Sequence, residues 1–405
     1  MFPKLRFKEF DDDWSPYVLK DFVSFRKGKG ISKADISENG INECIRYGEL
    51  YTTYGQVIDH IHSKTNVSKS ECILSKAGDV IIPASGETQI DIATASCVLH
   101  DDIILSGDLN ILSHEENGSW LAYYLSSAKK LEIAQLAQGN SVVHLYSSQL
   151  KDLKINKPSK EEQTKIASFL SNVDEKISQL TRKHELLNQY KQGMMQKLFS
   201  QEIRFKADDG SEFGEWEEKP LNHYLYTSKL KNKDLKFSKQ EVLSVSGELG
   251  VVNQIELLGR SYAGVSVAPY GVVEHGDIVY TKSPLKSNPY GIIKANKGKS
   301  GIVSTLYAIY KCKKNVSPNL VDYYFQNDLK LNHFLKPLVK KGAKNDMKVN
   351  NDHVLTGLVI FPNSMEEQTK IANFLSAIDQ KIDVVAQQIE QAKMWKKGLL
   401  QQMFV

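Results

Sequence analysis

The sequence predicts an α+β protein: two globular α/β units in tandem, separated by two long helices that pair as an antiparallel coiled coil. Three observations lead there. A seventeen-residue segment, EEQTKIASFLSNVDEKI at 161–177, returns as EEQTKIANFLSAIDQKI at 366–382 with thirteen identities. Both copies open a run of apolar residues spaced alternately by four and three. Each copy closes a stretch of about 160 residues in which short β-rich runs alternate with a few helix-like segments.

Four elements follow in order: a first unit at 1–158, a helix at 159–200, a second unit at 201–363 and a second helix at 364–405. The first unit opens on LRFKEFDDDW and the second on IRFKADDGSEFGEW. Gly78-Asp79-Val80-Ile81 answers Gly276-Asp277-Ile278-Val279, and the stretch from Gly139 to Pro158 answers that from Gly342 to Pro362. The units share a plan and differ in detail.

Each helix starts just after a proline (Pro158, Pro362) with a capping box, Ser159-x-x-Glu162 and Ser364-x-x-Glu367. Glu161, Glu162, Glu366 and Glu367 suit the positive end of a helix dipole. The apolar stripe runs through Ile166, Leu170, Val173, Ile177, Leu180 and Leu187 in the first copy. The second repeats it as Ile371, Leu375, Ile378, Ile382, Val385 and Ile389. Such a period is a coiled-coil seam; the plainer alternative is that each stripe packs on its neighbouring unit. His184 and the paired Lys191 and Lys396 interrupt it at defined layers and could fix register.

A 40-residue helix is about 60 Å long, whereas a unit of this size is roughly 40 Å across. The second unit starts where one helix ends and finishes where the other begins, so it cannot bridge parallel helices. Antiparallel pairing follows, and with it a pseudo-two-fold dumbbell.

Composition bounds the function. No apolar run is long enough to span a membrane, the start lacks a signal-peptide core, and four cysteines stand without C-x-x-C spacing. A reduced, cytoplasmic protein is expected. The net charge of +4 is unevenly spread: residues 219–348 hold 21 basic and 9 acidic residues, which suits a polyanion.

No catalytic site assembles from the sequence, and no metal site. Ser287-Asn288-Pro289-Tyr290 only partly matches a methyltransferase loop. Lys297-Gly298-Lys299-Ser300 lacks the first glycine of a phosphate loop. Asp174-Glu175-Lys176 sits on the heptad helix, and His60 and His62 are an isolated pair.

Candidate DNA contacts fall in three places. Arg26, Lys27, Lys29 and Lys33, among glycines, form a basic stretch matched in the second unit by Lys229, Lys231 and Lys233. The loops after the Gly-Asp strands diverge: Ser85, Thr88 and Gln89 in one, Lys282, Lys286 and Asn288 in the other. There Gln89 and Asn288 suit adenine edges, and the lysines suit guanine or phosphate. Last come Asn140 in the first unit and Lys340, Lys341, Lys344, Asn345 and Lys348 in the second.

The twinned E-E-Q-x-K-I-A-x-F-L-S helices, the openings, the G-D-[IV]-[IV] strands and the G-to-P segments together resemble the specificity subunit of a type I restriction–modification system, over the whole chain. The resemblance implies that each unit is a target-recognition domain for one half of an asymmetric bipartite DNA site. It implies that the paired helices set the half-site spacing and dock two adenine-N6 methyltransferase subunits, joined by restriction/translocase subunits. S-adenosylmethionine, ATP and Mg would belong to those partners, and none to this chain. A non-enzymatic scaffold holding two protein partners is the alternative from another class, and an enzyme in its own right is a third.

Overall fold

The computed structural model describes residues 3–139, 142–341 and 347–404. The chain divides into two compact units, Met1–Lys183 with Val385–Val405, and His184–Val384. The long helices span Lys160–Phe199 and Met365–Met403, and each contributes one part to each unit.

In unit one a five-stranded sheet runs in the order Ser24–Lys27, Leu109–Ser113, Val80–Pro83, Ser96–Val98, Val57–Ile58. Its middle strand, Val80-Ile81-Ile82, is the apolar run after Gly78-Asp79. It is buried on both faces, as a central strand of β-branched residues should be. A second sheet orders Ser63–Thr65, Asn42–Ile45, Ile104–Leu105 and Ile73–Leu74. The ribbon Ser15–Val18 with Lys154–Lys157, register Ser15↔Lys157, ties the start of the unit to the strand that precedes the long helix.

Unit two repeats this plan more simply. Its main sheet runs Leu225–Thr227, Tyr307–Cys312, Ile278–Thr281, Ile293–Ala295, and its closing ribbon is Glu217–Pro220 with Leu358–Phe361. The hairpin Leu243–Ser246 with Gly250–Asn253 and the pair Gly271–Val273 with Gly301–Val303 lie outside the main sheet.

The twinned Glu-Gln pairs explain themselves in these units. Ser159 Oγ accepts from the Glu162 amide at 3.3 Å, so half of the expected capping box forms. The glutamate does not reach back to it. Glu162, 1 % exposed, takes a two-pronged bond from Arg6 at 2.7 Å. Glu367, equally buried, takes one from Arg204 at 3.1 and 3.0 Å and another from Trp216 Nε1 at 3.1 Å. A buried carboxylate is held by a guanidinium fork, which an exposed capping residue would not need. Beside each, the glutamine bridges loop to helix: Gln163 Oε1 accepts from the Asn117 amide at 3.0 Å and Gln368 Oε1 from the Ser317 amide at 2.9 Å. The motif therefore welds each helix start to its own unit.

The stripe serves both expected purposes. Ile166, Leu170 and Val173 lie in the core of unit one with Trp14, Trp120 and Tyr124, and Leu399 and Met403 from the other helix, with Phe404 just past its end, close it. Ile371, Leu375 and Ile378 do the same in unit two beside Met195 and Leu198. An early segment of one helix meets a late segment of the other, so the pairing is antiparallel. Ile177 and Ile382 line the margins, Leu180, Val385 and Ile389 are buried, and Leu187 is half-buried.

Candidate nucleic-acid interface

Unit two brings several of its sequence-nominated lysines together. The segment 229–233 runs extended beside Gly271–Val273: Lys231 bridges to Gly271, and the Val272 amide donates to Leu230 O at 3.1 Å. Between the exposed Lys231 and Lys233 sits Asn232, only 2 % exposed. Its amide group donates to Phe237 O at 2.8 Å and its Oδ1 accepts from the Phe237 amide at 3.0 Å. Alternation along an extended segment turns the buried amide inward and the two cations outward. Lys282 approaches the same strip from the strand Ile278–Thr281. Burial, then the charge of Lys231, hold its ammonium below the ordinary lysine value. An anion bound between the two ammonium groups would relieve that repulsion. Lys229 and Lys286 are exposed nearby in sequence, and none of these lysines has an ion pair among the described residues.

Asn288 departs from its expected role. It is 6 % exposed, its Nδ2 donates to Asp328 Oδ1 at 3.0 Å, and its carbonyl accepts from the Leu285 and Gly291 amides. It builds a turn, with its side-chain amide nitrogen engaged inside the unit. Gly291 completes that turn with φ +89, where a Cβ would sit 2.0 Å from Thr281 O. Lys340 is exposed on the short strand Lys340–Lys341. The side chains of Lys341 and Lys348, and the residues Asn140, Lys344 and Asn345, lie outside the described residues.

In unit one, Lys27, Lys29 and Lys33 are exposed, but Arg26 is committed inward. Its guanidinium pairs with the buried Asp79 and donates to Leu74 O at 3.1 Å, while Ser113 Oγ donates to Asp79 at 2.7 Å. The glycines permit a close approach, of the chain to itself. A Cβ on Gly28 would lie 1.9 Å from Ser106 O, and one on Gly30, φ +110, 2.6 Å from Cys72 Sγ. Ser85 is buried against His144 Nδ1 at 3.0 Å, and Thr88 caps the turn Gln89–Ile92 by accepting from the Asp91 amide at 3.1 Å. Gln89 is exposed. Arg26, Ser85, Thr88 and Asn288 thus each have a side-chain partner within the unit, which sequence spacing alone cannot reveal.

Sequence reasoning passed over the loop 259–270, GRSYAGVSVAPY, which carries no charge run and no periodicity. The structure holds Arg260, Tyr262 and Val265 outward on it, Val265 at 99 % exposure. Ala263 and Val267 anchor it in a small core with Phe237, Tyr270 and Val272, beside the lysine strip. The one legible signal was an arginine two residues from a tyrosine after a Leu-Leu-Gly helix end.

The residues considered for chemistry are dispersed. Asp174 is engaged within the helix pair, and the His60 and His62 rings lie edge to face at 5.2 Å on an exposed surface. Among the described residues no group of three or more His, Cys, Asp or Glu is arranged to hold a metal, and no helix is long and apolar enough to cross a membrane.

Comparison with known proteins adds independent support. Residues 11–189 match the family model of the type I restriction modification DNA specificity domain. Two proteins of Methanocaldococcus jannaschii are similar over nearly the whole chain. A putative type I restriction enzyme MjaX specificity subunit is 26% identical, covering 98% of this chain and 94% of its own length. The type I restriction enzyme MjaVIII specificity subunit is 25% identical, covering 96% and 91%. The fold is similar to the crystal structure of a type I restriction–modification S subunit from M. genitalium, with a TM-score of 0.61 at 16% identity over 100% of this chain and 99% of that one. A chain solved for the complex assembly and conformational transition of a type I system aligns with a TM-score of 0.51 at 14% identity, over 97% and 98%.

Proposed function

The chain belongs to the specificity subunits of type I restriction–modification systems, and on that premise we propose that its two units each read one half of an asymmetric bipartite DNA site. The DNA specificity role itself follows from the family; the division of labour between the units is the finer claim. What carries it is the repetition of one plan with divergent loops. The same helix-start weld recurs, as does a sheet built around the Gly-Asp strand, with five strands in unit one and four in unit two, while the exposed residues around the Gly-Asp strands differ. Two units alike in frame and unlike in surface would read two different half-sites.

Lys27, Lys29, Lys33 and Gln89 in unit one, with Lys229, Lys231, Lys233, Lys282, Lys286 and Lys340 in unit two, are the residues that would meet DNA on this reading. The lysines would neutralise phosphates, and base reading would fall to shorter or stacked side chains beside them. The helix pair would set the gap between half-sites and dock two adenine-N6 methyltransferase subunits, to which restriction/translocase subunits add. S-adenosylmethionine, ATP and Mg would be bound by those partners. A scaffold that never reads DNA is not favoured by the relatives. A salt titration of DNA binding by the assembled methyltransferase complex tests the reading: log affinity should fall steeply and linearly with log salt. A flat response, with the complex intact, would count against it.

A further inference from the structure

We infer that the loop 259–270 of unit two is a base-reading element, with Arg260 contacting a guanine edge of one half-site; this rests on the DNA-specificity reading above.

The loop is stiffly built for one so exposed. The short helix Gln254–Leu258 ends on Gly259 in the left-handed region, φ +75, with its amide donating to Ile255 O at 2.8 Å. That turn sends Arg260 out of the unit. Two residues on, the Tyr262 amide donates to Gln254 Oε1 at 2.6 Å, and Gln254 Nε2 donates in turn to Ser244 Oγ at 3.1 Å. A side-chain amide thus ties the loop to the strand Leu243–Ser246. Further along, the Gly264 amide donates to Tyr270 Oη at 3.2 Å, and Asn232 Nδ2 reaches Val267 O at 3.4 Å.

This bracing supports side chains that bury little in the free chain. The Arg260 guanidinium lies 4.6 Å from the centroid of the Tyr262 ring, which is 58 % exposed. A cation–π stack fixes the direction of the planar fork without consuming its donors. Val265 stands at the tip, almost fully exposed. A rigid arginine with unspent donors and an apolar tip match the major-groove edges of guanine and the thymine methyl.

Charge identifies the partner. The loop shares its small core with the segment that carries Lys231, Lys233 and Lys236, and Lys231 is close enough to perturb Lys282. A protein partner would have to bring a dense acidic surface to this strip; a duplex brings phosphates on either side of the groove the loop would enter. Lysines on the strip then position, and the arginine specifies.

The test uses the complete complex with its methyltransferase partner, comparing methylated motifs of wild type, Arg260→Ala, Arg260→Lys, Tyr262→Ala and Lys231→Ala/Lys282→Ala. Discrimination at one base pair of one half-site should fall about tenfold or more in Arg260→Ala, with the other half and the gap unchanged. Tyr262→Ala should relax the same position more weakly. Arg260→Lys should do so too, because a point charge replaces a fork. The double lysine variant should weaken methylation without relaxing any base. A wild-type motif and rate in Arg260→Ala, at an unchanged melting temperature, would overturn the inference, as would equal relaxation of both halves. If wild type itself yields no bipartite motif, the DNA-specificity reading fails instead, so the two failures are distinguishable.

Discussion

Lys396 on the second long helix reaches Asp174 on the first, Nζ to Oδ1 at 2.6 Å, while Tyr123 Oη donates to Oδ2 of the same carboxylate at 2.7 Å. The Lys396 ammonium also lies 5.4 Å from the Tyr123 ring centroid. The cluster recurs in unit two, with the aspartate and lysine positions 205 residues apart and the tyrosines 200 apart: Lys191 meets Asp379 at 2.6 Å, and Tyr323 Oη donates to Asp379 at 2.7 Å. The lysines that break the apolar stripe are therefore partners of the opposite helix. Each triplet joins both long helices to the sheet-packed helix of its unit, at Gly118–Ser127 and Pro318–Tyr324.

Removing one member leaves a part-buried charge without its partner. Asp174→Ala should lower stability by about 1–3 kcal/mol, with a similar loss for Asp379→Ala. The exchange Asp174→Lys with Lys396→Asp should recover part of that loss relative to either single change. Thermal melts of these variants against wild type supply the check, and a double exchange no better than the worse single would contradict the pairing.

The buried glutamates make a sharper comparison. Glu367 is 1 % exposed and shared by Arg204 and Trp216, whereas its neighbour Glu366 meets Lys370 near the surface at 3.2 Å. Glu367→Ala should cost about 3–5 kcal/mol because it strands a guanidinium, and Glu366→Ala at most about 1 kcal/mol. Equal costs in denaturant titration would show that the weld is not specific.

These two clusters also mark what the sequence makes legible. Helical period and repetition expose the stripe, the paired lysines and the twinned Glu-Gln, because positions four and three apart share a face wherever the helix lies. Nothing local says that Glu162 faces Arg6 or that Asn288 faces Asp328, since those partners are 156 and 40 residues away. The same holds for Arg260 and Tyr262, whose significance lies in the bracing from Gln254 and in a lysine strip some thirty residues earlier. Tertiary partners decide which polar residues remain available.

Unit one should weaken on mild acidification. Burial holds the His114 imidazole below its ordinary value of about 6.5, against the opposing pull of Asp79 and Glu116. Its Nδ1 accepts from the Glu116 amide at 3.2 Å, a bond that a proton on Nδ1 would break. The unfolded chain then binds the proton more readily than the folded one. This contribution is fully present above the ordinary histidine value and is lost as pH falls through it toward the folded one. Wild type should melt earlier at pH 5.5 than at 7.5, and His114→Gln should show a smaller difference; identical pH responses would remove His114 as the cause.

Helix length should set the gap. One heptad added to each long helix extends the spacer by about 10 Å, or about three base pairs at 3.4 Å each. Motif mapping of the lengthened protein should return the same half-sites with a changed gap. An unchanged gap would contradict the spacing role.

Genome-wide mapping of N6-methyladenine in cells expressing this chain with its cognate methyltransferase would show whether the two units read two half-sites. One asymmetric bipartite motif is expected, with two unlike halves at a fixed gap. An assembled complex that methylates no such motif, or one with a single contiguous half, would contradict it.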